Sequence, residues 1–182
     1  MDTGFLVVTG SRVAPDWLKQ ELRIQLPRLA QDARDNHGVQ RFVLLQGGAR
    51  GVDLEARCWA EDVQPWPVTH KQFDATWEAA CDPACCRPGH RRERSNGSDF
   101  CPAQGVYRNG RIVQYAAEQQ ALGAWVQVAA FYNSPRSTGT QNCVTQAQAA
   151  GLNVQEFGDA PTRTEAPGEA MPGVRPENSP LF

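Results

Sequence analysis

Cys81, Cys85, Cys86, His90 and Cys101 crowd into 21 residues, "CDPACCRPGHRRERSNGSDFC". Thiolates and an imidazole in a short segment rich in Pro and Gly form the donor set that tetrahedral zinc favours. A stretch this polar has little apolar surface to bury, so a metal would supply its folding energy. The expected ligands are Cys81, Cys85, His90 and Cys101, with Cys86 as the alternative to Cys85. Four protein ligands leave no open position for water, so the expected Zn2+ is structural rather than catalytic. The other readings are a disulfide, which a reducing compartment disfavours, and free thiols.

A second chemistry is written in three polar loops: "TGSR" (9–12), "GGARG" (47–51) and "NSPRSTGT" (133–140). Each follows an apolar run and precedes a stretch with helical spacing. Glycine turns between a strand and a helix expose backbone N–H groups, and those groups attract anions such as phosphate. The bland reading is three tight turns that bind nothing, since turns need Gly and Ser in any case. Asp53 opens the stretch after the second loop, where a carboxylate suits a helix start. "RPGHRRER" (87–94) carries a local charge of +3. It reads either as a solvated face or as arginines, Arg91, Arg92 or Arg94, leaning over the mouth of an anion site. His37 and His70 are assigned no chemistry.

Strands and helices must alternate to place those loops together. The apolar runs predict strands at 5–8, 41–45, 65–70, 124–132 and 152–157. Apolar spacing predicts helices from about Asp16 (with Pro27 kinking or ending its first part), and over 52–62, 106–120 and 138–151. The two prolines of "PWPVTH" suit an edge or the start of a strand. The five tryptophans read mostly as core, although Trp77, nearest the cysteine segment, is placed to stack on a base. The alternation predicts an α/β, Rossmann-like three-layer domain with a mostly parallel sheet and a small zinc-binding insert. Its expected limits are 1–157, with the Cys/His-rich insert at 81–105. Ligands of such sheets bind outside the carboxyl ends of the strands, where the three loops fall. Neither G-x-G-x-x-G nor the Walker phosphate loop is present.

Composition narrows the partners. The chain has 182 residues, a net charge of −2 and a pI near 5.9. That balance carries no general footprint for nucleic acid, and no apolar run is long enough to span a membrane. Without the basic flank and apolar core of a signal peptide, the start predicts a cytoplasmic protein. Five of the thirteen prolines lie in 161–182. The expectation for 158–182 is a disordered, acidic, Pro-rich tail.

The ordered set "VTGSR … GGARGVD … YRNGRIV … STGT" resembles the SLOG superfamily over about residues 5–157. That Rossmann-like group includes the lonely-guy phosphoribohydrolases and the DNA-processing protein DprA. The likeness is strongest to its YspA/YpsA-like branch, whose members share a similar Cys/His insert. The resemblance implies a nucleotide or nucleotide-derived ligand, held as by a sensor, carrier or sequestering module, and implies that a homodimer is common. It assigns ligand contacts to Gly10, Ser11, Arg12, Gly47, Gly48, Arg50, Asp53, Arg108, Asn109, Ser137, Thr138, Gly139 and Thr140. The lonely-guy pattern P-G-G-x-G-T-x-x-E supplies a glutamate that helps cleave an N-glycosidic bond. Here "RSTGTQNC" puts Cys143 at that position. A neutral thiol cannot stabilise a developing oxocarbenium ion as a carboxylate does, which favours binding over hydrolysis. The alternatives kept are a nucleotide N-glycosidic hydrolase, with Asp53 or Glu55 as substitute carboxylate, and DprA-like binding of single-stranded DNA.

Overall fold

Successive side chains of Phe5-Leu6-Val7-Val8 enter two different apolar clusters, Phe5 and Val7 one and Leu6 and Val8 the other. A strand whose two faces are both buried must lie at the centre of three layers. The computed structural model describes residues 2–62, 64–81 and 89–161 and shows that arrangement. β1 (Thr3–Gly10), β2 (Arg41–Gln46), β3 (Val68–Gln72), β6 (Trp125–Tyr132) and β7 (Val154–Gly158) form one sheet in the order β3-β2-β1-β6-β7. Every pairing in it is parallel. α1 (Asp16–His37) and α2 (Val52–Glu61) cover one face, α3 (Gln104–Ala121) and α4 (Thr138–Ala149) the other.

The predicted elements are all present, with their ends moved by a few residues. The third strand begins only after Pro65 and Pro67 and lies at the edge of the sheet. Pro67 has no N–H to give a neighbour, but its carbonyl accepts from Phe42 N at 2.9 Å. Pro27 neither ends nor divides α1, which is one 22-residue helix. The proline costs about 3 kcal/mol in a helix interior. Beyond it Leu29, Ala30 and Ala33 continue the buried face of Leu18, Leu22 and Leu26. Burying a leucine contributes about 1.5–3 kcal/mol, so the face beyond the proline offsets its cost.

The tryptophans divide. Trp59 is core and Trp66 and Trp125 pack against it, whereas Trp17 is 45% exposed on α1. Among the described residues no helix is long and apolar enough to cross a membrane.

The segment before α3 contains an antiparallel hairpin that the sequence reading did not anticipate, β4 (Arg92–Glu93) and β5 (Asp99–Phe100). Its turn is built on Asn96-Gly97, with Gly97 at φ +79° and Asn96 Oδ1 accepting from Ser98 N at 3.1 Å. The Asn-Gly pair was the available signal.

Candidate ligand site and metal-ligating cluster

The strand order runs from β1 outward to β2 and β3 on one side, then to β6 and β7 on the other. The chain therefore reverses between β1 and β6, and a crevice opens at the carboxyl ends of those two strands. Ser11 and Ser137 stand across it, their Oγ atoms 2.7 Å apart. Asn133 N donates to Ser11 Oγ at 3.0 Å, and Ser11 N donates to the Phe131 carbonyl at 3.1 Å. The loop after β1 and the loop after β6 are thus one hydrogen-bonded unit. α4 starts directly beyond it at Thr138, and no side chain caps its first turn. Thr140 is buried there, while Thr138 and Gly139 are exposed.

The loop after β2 closes the other side. Gly51 lies at φ +75°, and a Cβ on it would collide with the carbonyl oxygens of Ser11 and Arg12. That close approach brings the start of α2 against the first loop, where Val52 N donates to Ser11 O at 3.2 Å. Gly48, also at positive φ, has its N–H bound to Gln46 Oε1.

Asp53 does not cap α2. It is 5% exposed, and one of its oxygens accepts from Gly47 N at 3.1 Å and Ala49 N at 3.2 Å. The carboxylate therefore ties the glycine loop back onto the helix that follows it. Burial pushes its pKa above the ordinary carboxylate range, outweighing the Ala49 and Gly47 N–H donors and the Arg108 charge that pull it down.

Arg108 and Asn109 reach this floor from α3, both buried. Arg108 donates through Nη1 to the Gly47 carbonyl and stands 3.7 Å from Asp53. A Cβ on Gly47 would occupy the same space as that guanidinium. Arg108 Nε also donates to Asn109 Oδ1 at 3.0 Å. Asn109 Nδ2 in turn donates to the Gly139 carbonyl and to Asn142 Oδ1, each at 3.1 Å. The Arg-Asn pair thus links the second loop to the first turn of α4. Cys143 is 1% exposed, and burial pushes its thiol up to about 11 despite a hydrogen bond from Thr9. It stays a neutral thiol at neutral pH.

Three arginines, Arg12, Arg50 and Arg136, are exposed at this edge, one from each loop. Gln46 and Gln72 escaped the sequence reading. Gln46 is 1% exposed at the carboxyl end of β2 and donates to Gln72 Oε1 at 3.1 Å. Both line a small recess together with Gly48, Ala49, Asp53, Leu54 and Arg57. A polar residue in phase with the buried positions of "RFVLLQ" was the signal. A wider hollow on the insert is lined by Arg91, Arg92 and Asp99 among others.

In the insert, pairing of Arg92 with Phe100 sets His90 and Cys101 side by side at the open end of the hairpin. His90 Nε2 lies 3.0 Å from Cys81 Sγ and 3.3 Å from Cys101 Sγ, and the three donor atoms fall within 4.8 Å of one another. Ligands around tetrahedral zinc stand roughly 3.3–3.8 Å apart, so this trio has the donor types and about the spacing for such an ion. Cys85 and Cys86 lie outside the described residues. Arg91 is not free to reach another ligand, because it bonds Asp99 at 2.6 and 2.8 Å, the Ala79 carbonyl at 2.9 Å and Cys81 Sγ at 3.3 Å. Its hydrogen bond holds Asp99 below the usual carboxylate range. Arg94 is likewise paired, with Glu78 at 2.7 Å. Arg92 is exposed on β4.

Fold and site together define a parallel α/β protein whose loops gather at the carboxyl edge of its sheet beside a Cys/His cluster able to hold a metal. The chain belongs to the family of the gene 61 protein of Mycobacterium phage D29. It is 30% identical to that protein over 162 residues, 86% of this chain and 98% of the relative. No family model matches. DNA processing protein A from Helicobacter pylori, a protein that binds single-stranded DNA, is a structural neighbour at TM-score 0.47 and 18% identity, covering 89% of this chain and 67% of that one. For this chain the net charge of −2 gives the expectation that nucleic acid is not a partner.

Proposed function

We propose that the protein binds a nucleotide or nucleotide-derived ligand in the crevice between the carboxyl ends of β1 and β6, with the phosphate toward Arg12, Ser11 and the first turn of α4. The observation that carries this reading is the Ser11–Ser137 pairing across the switch point of the sheet, with uncapped N–H groups of α4 beside it. An exposed arginine from each of the three loops supports it in a chain of net charge −2. The resemblance to SLOG proteins points the same way. Gly10, Gly47, Gly48 and Asp53 shape the loops, Arg108 and Asn109 hold them, Arg50, Thr138 and Gly139 lie exposed along the rim, and Thr140 is buried in the first turn of α4. Cys143, a neutral buried thiol, offers no charge to a developing sugar cation, so the reading is binding without hydrolysis. In the insert, Cys81, His90 and Cys101, with Cys85 or Cys86 as fourth, would hold a structural zinc, which supplies folding energy to a segment with little core.

Titration calorimetry with a panel of nucleoside mono-, di- and triphosphates tests the site. Among the described residues no hydrogen bond or ion pair holds the exposed Arg12 guanidinium, so Arg12→Ala should weaken binding about ten- to a hundredfold and leave the fold intact. Equal affinity in wild type and variant would place the ligand elsewhere. A single-stranded oligonucleotide is the second arm. Binding of it alone, with no mononucleotide bound, would favour the competing nucleic-acid reading.

A further inference from the structure

The segment that joins β3 to the insert is fastened at several points. Cys101 N donates to the Trp77 carbonyl at 2.9 Å, and Thr76 Oγ1 donates to Gln104 at 2.9 Å. Arg91 holds the Ala79 carbonyl and Arg94 holds Glu78. Trp77 itself lies edge-on to Phe100 of β5, with ring centroids 6.3 Å apart, and its ring edge lies against Gly105 in the first turn of α3. These partners all belong to the insert or to the beginning of α3. On its remaining side the ring meets the Arg12 guanidinium, 5.8 Å from its centroid. Among the described residues, no hydrogen bond or ion pair holds that guanidinium, which is exposed. Arg12 lies next to Ser11 in the loop after β1, and its charge also acts on Asp53.

We propose that Trp77 is a positioning residue through which the Cys/His insert holds Arg12 at the mouth of the anion site; this rests on the ligand reading above. A long cation on an exposed loop loses rotamer entropy when it meets a ligand, and an aromatic face that already orders it reduces that loss. Because the Trp77 carbonyl is bonded to the backbone of a cluster cysteine, the place of the ring depends in part on the shape of the cluster. Order in the metal-ligating cluster is thereby coupled to affinity at the sheet edge.

Adenosine 5′-monophosphate is the affinity probe, and the chemical shifts of the Arg12 side-chain protons are the ligand-free readout. The Trp77 ring should shield those protons in wild type. The shift should vanish in Trp77→Ala, persist in Trp77→Phe, and vanish in wild-type protein stripped by a chelator. Trp77→Ala should weaken adenosine 5′-monophosphate about two- to fivefold, the worth of one exposed cation–π contact, and have no further effect in an Arg12→Ala background. An unshielded Arg12 in wild type would overturn the proposal, as would the same loss with or without Arg12. Shielding that survives metal removal would sever the link to the cluster. If wild type binds no nucleotide, the function proposed above fails, while the shift experiment still decides whether the insert orders Arg12.

Discussion

At Arg108 one guanidinium answers to the Gly47 carbonyl, to Asp53 and to Asn109, so it holds the floor of the site before any ligand arrives. Deleting it leaves a buried carboxylate without its countercharge, and breaking such a pair from one side costs about 3–5 kcal/mol. Arg108→Ala should therefore lower stability as well as affinity, unlike Arg12→Ala. The loss should depend on pH. The folded Asp53 already has a raised pKa, so it favours folding most below the unfolded carboxyl value and loses that contribution as pH rises through its folded pKa. Removing Arg108 raises the folded value further and widens that window. Urea unfolding should show a larger deficit at pH 8 than at pH 5, and adding Asp53→Asn should recover part of it at pH 8. A deficit independent of pH would mean that Arg108 acts by packing alone.

Among the elements, α1 carries a conflict between local and tertiary terms. Pro27 removes one backbone hydrogen bond from the middle of a 22-residue helix, yet the apolar face runs on from Leu26 to Leu29 and Ala33. The tertiary term wins because those side chains have a sheet to pack on, whereas an isolated peptide of this sequence would have none. Pro27→Ala should restore the missing donor and stabilise the protein by about 1–3 kcal/mol, after allowing for the freer unfolded chain. The urea midpoint should rise with an unchanged slope. A lower midpoint would show that the proline ring makes packing contacts worth more than the bond it forgoes. The β4–β5 hairpin presents the opposite case. Two residues per strand cannot stand alone; Arg91–Asp99 ties the strands to each other, and Arg91 to the Ala79 carbonyl and Arg94 to Glu78 join the hairpin to its surroundings.

For the whole molecule, the two apolar clusters on either face of the sheet are assembled without the described residues of the insert, among which Cys101 is the buried apolar one. Stability should therefore divide into a sheet with its helices and a metal-dependent appendage. Elemental analysis should find about one zinc per chain. Chelation, or Cys101→Ser, should strip amide-exchange protection from 76–81 and 89–103, while β1, β2 and β6 stay protected. Full protection of the insert in metal-free protein would show that its hydrogen bonds suffice. Global unfolding on chelation would show instead that the sheet depends on the insert.

Much of this was written locally. Alternation and apolar runs report whether a residue faces water or core, so "FLVV", "RFVLL" and "AWVQVAAFY" read directly as buried strands. Glycine and hydroxyl loops after those runs placed the candidate site at one edge, because parallel strands separated by helices have their carboxyl ends together. The donor types of the insert are likewise visible as residues. What local pattern does not carry is the partner across the fold. Asp53 had the look of a helix cap until the turn folded back and offered it Gly47 and Ala49. Arg108, expected as a ligand contact, also holds the Gly47 carbonyl, a partner that only the meeting of α3 and β2 supplies. Trp77 meets Arg12 across 65 positions of sequence. Sheet order and helix packing decide such pairings, because a polar side chain bonds whatever the closed backbone leaves within about 3 Å, and residue type constrains only the chemistry of that bond.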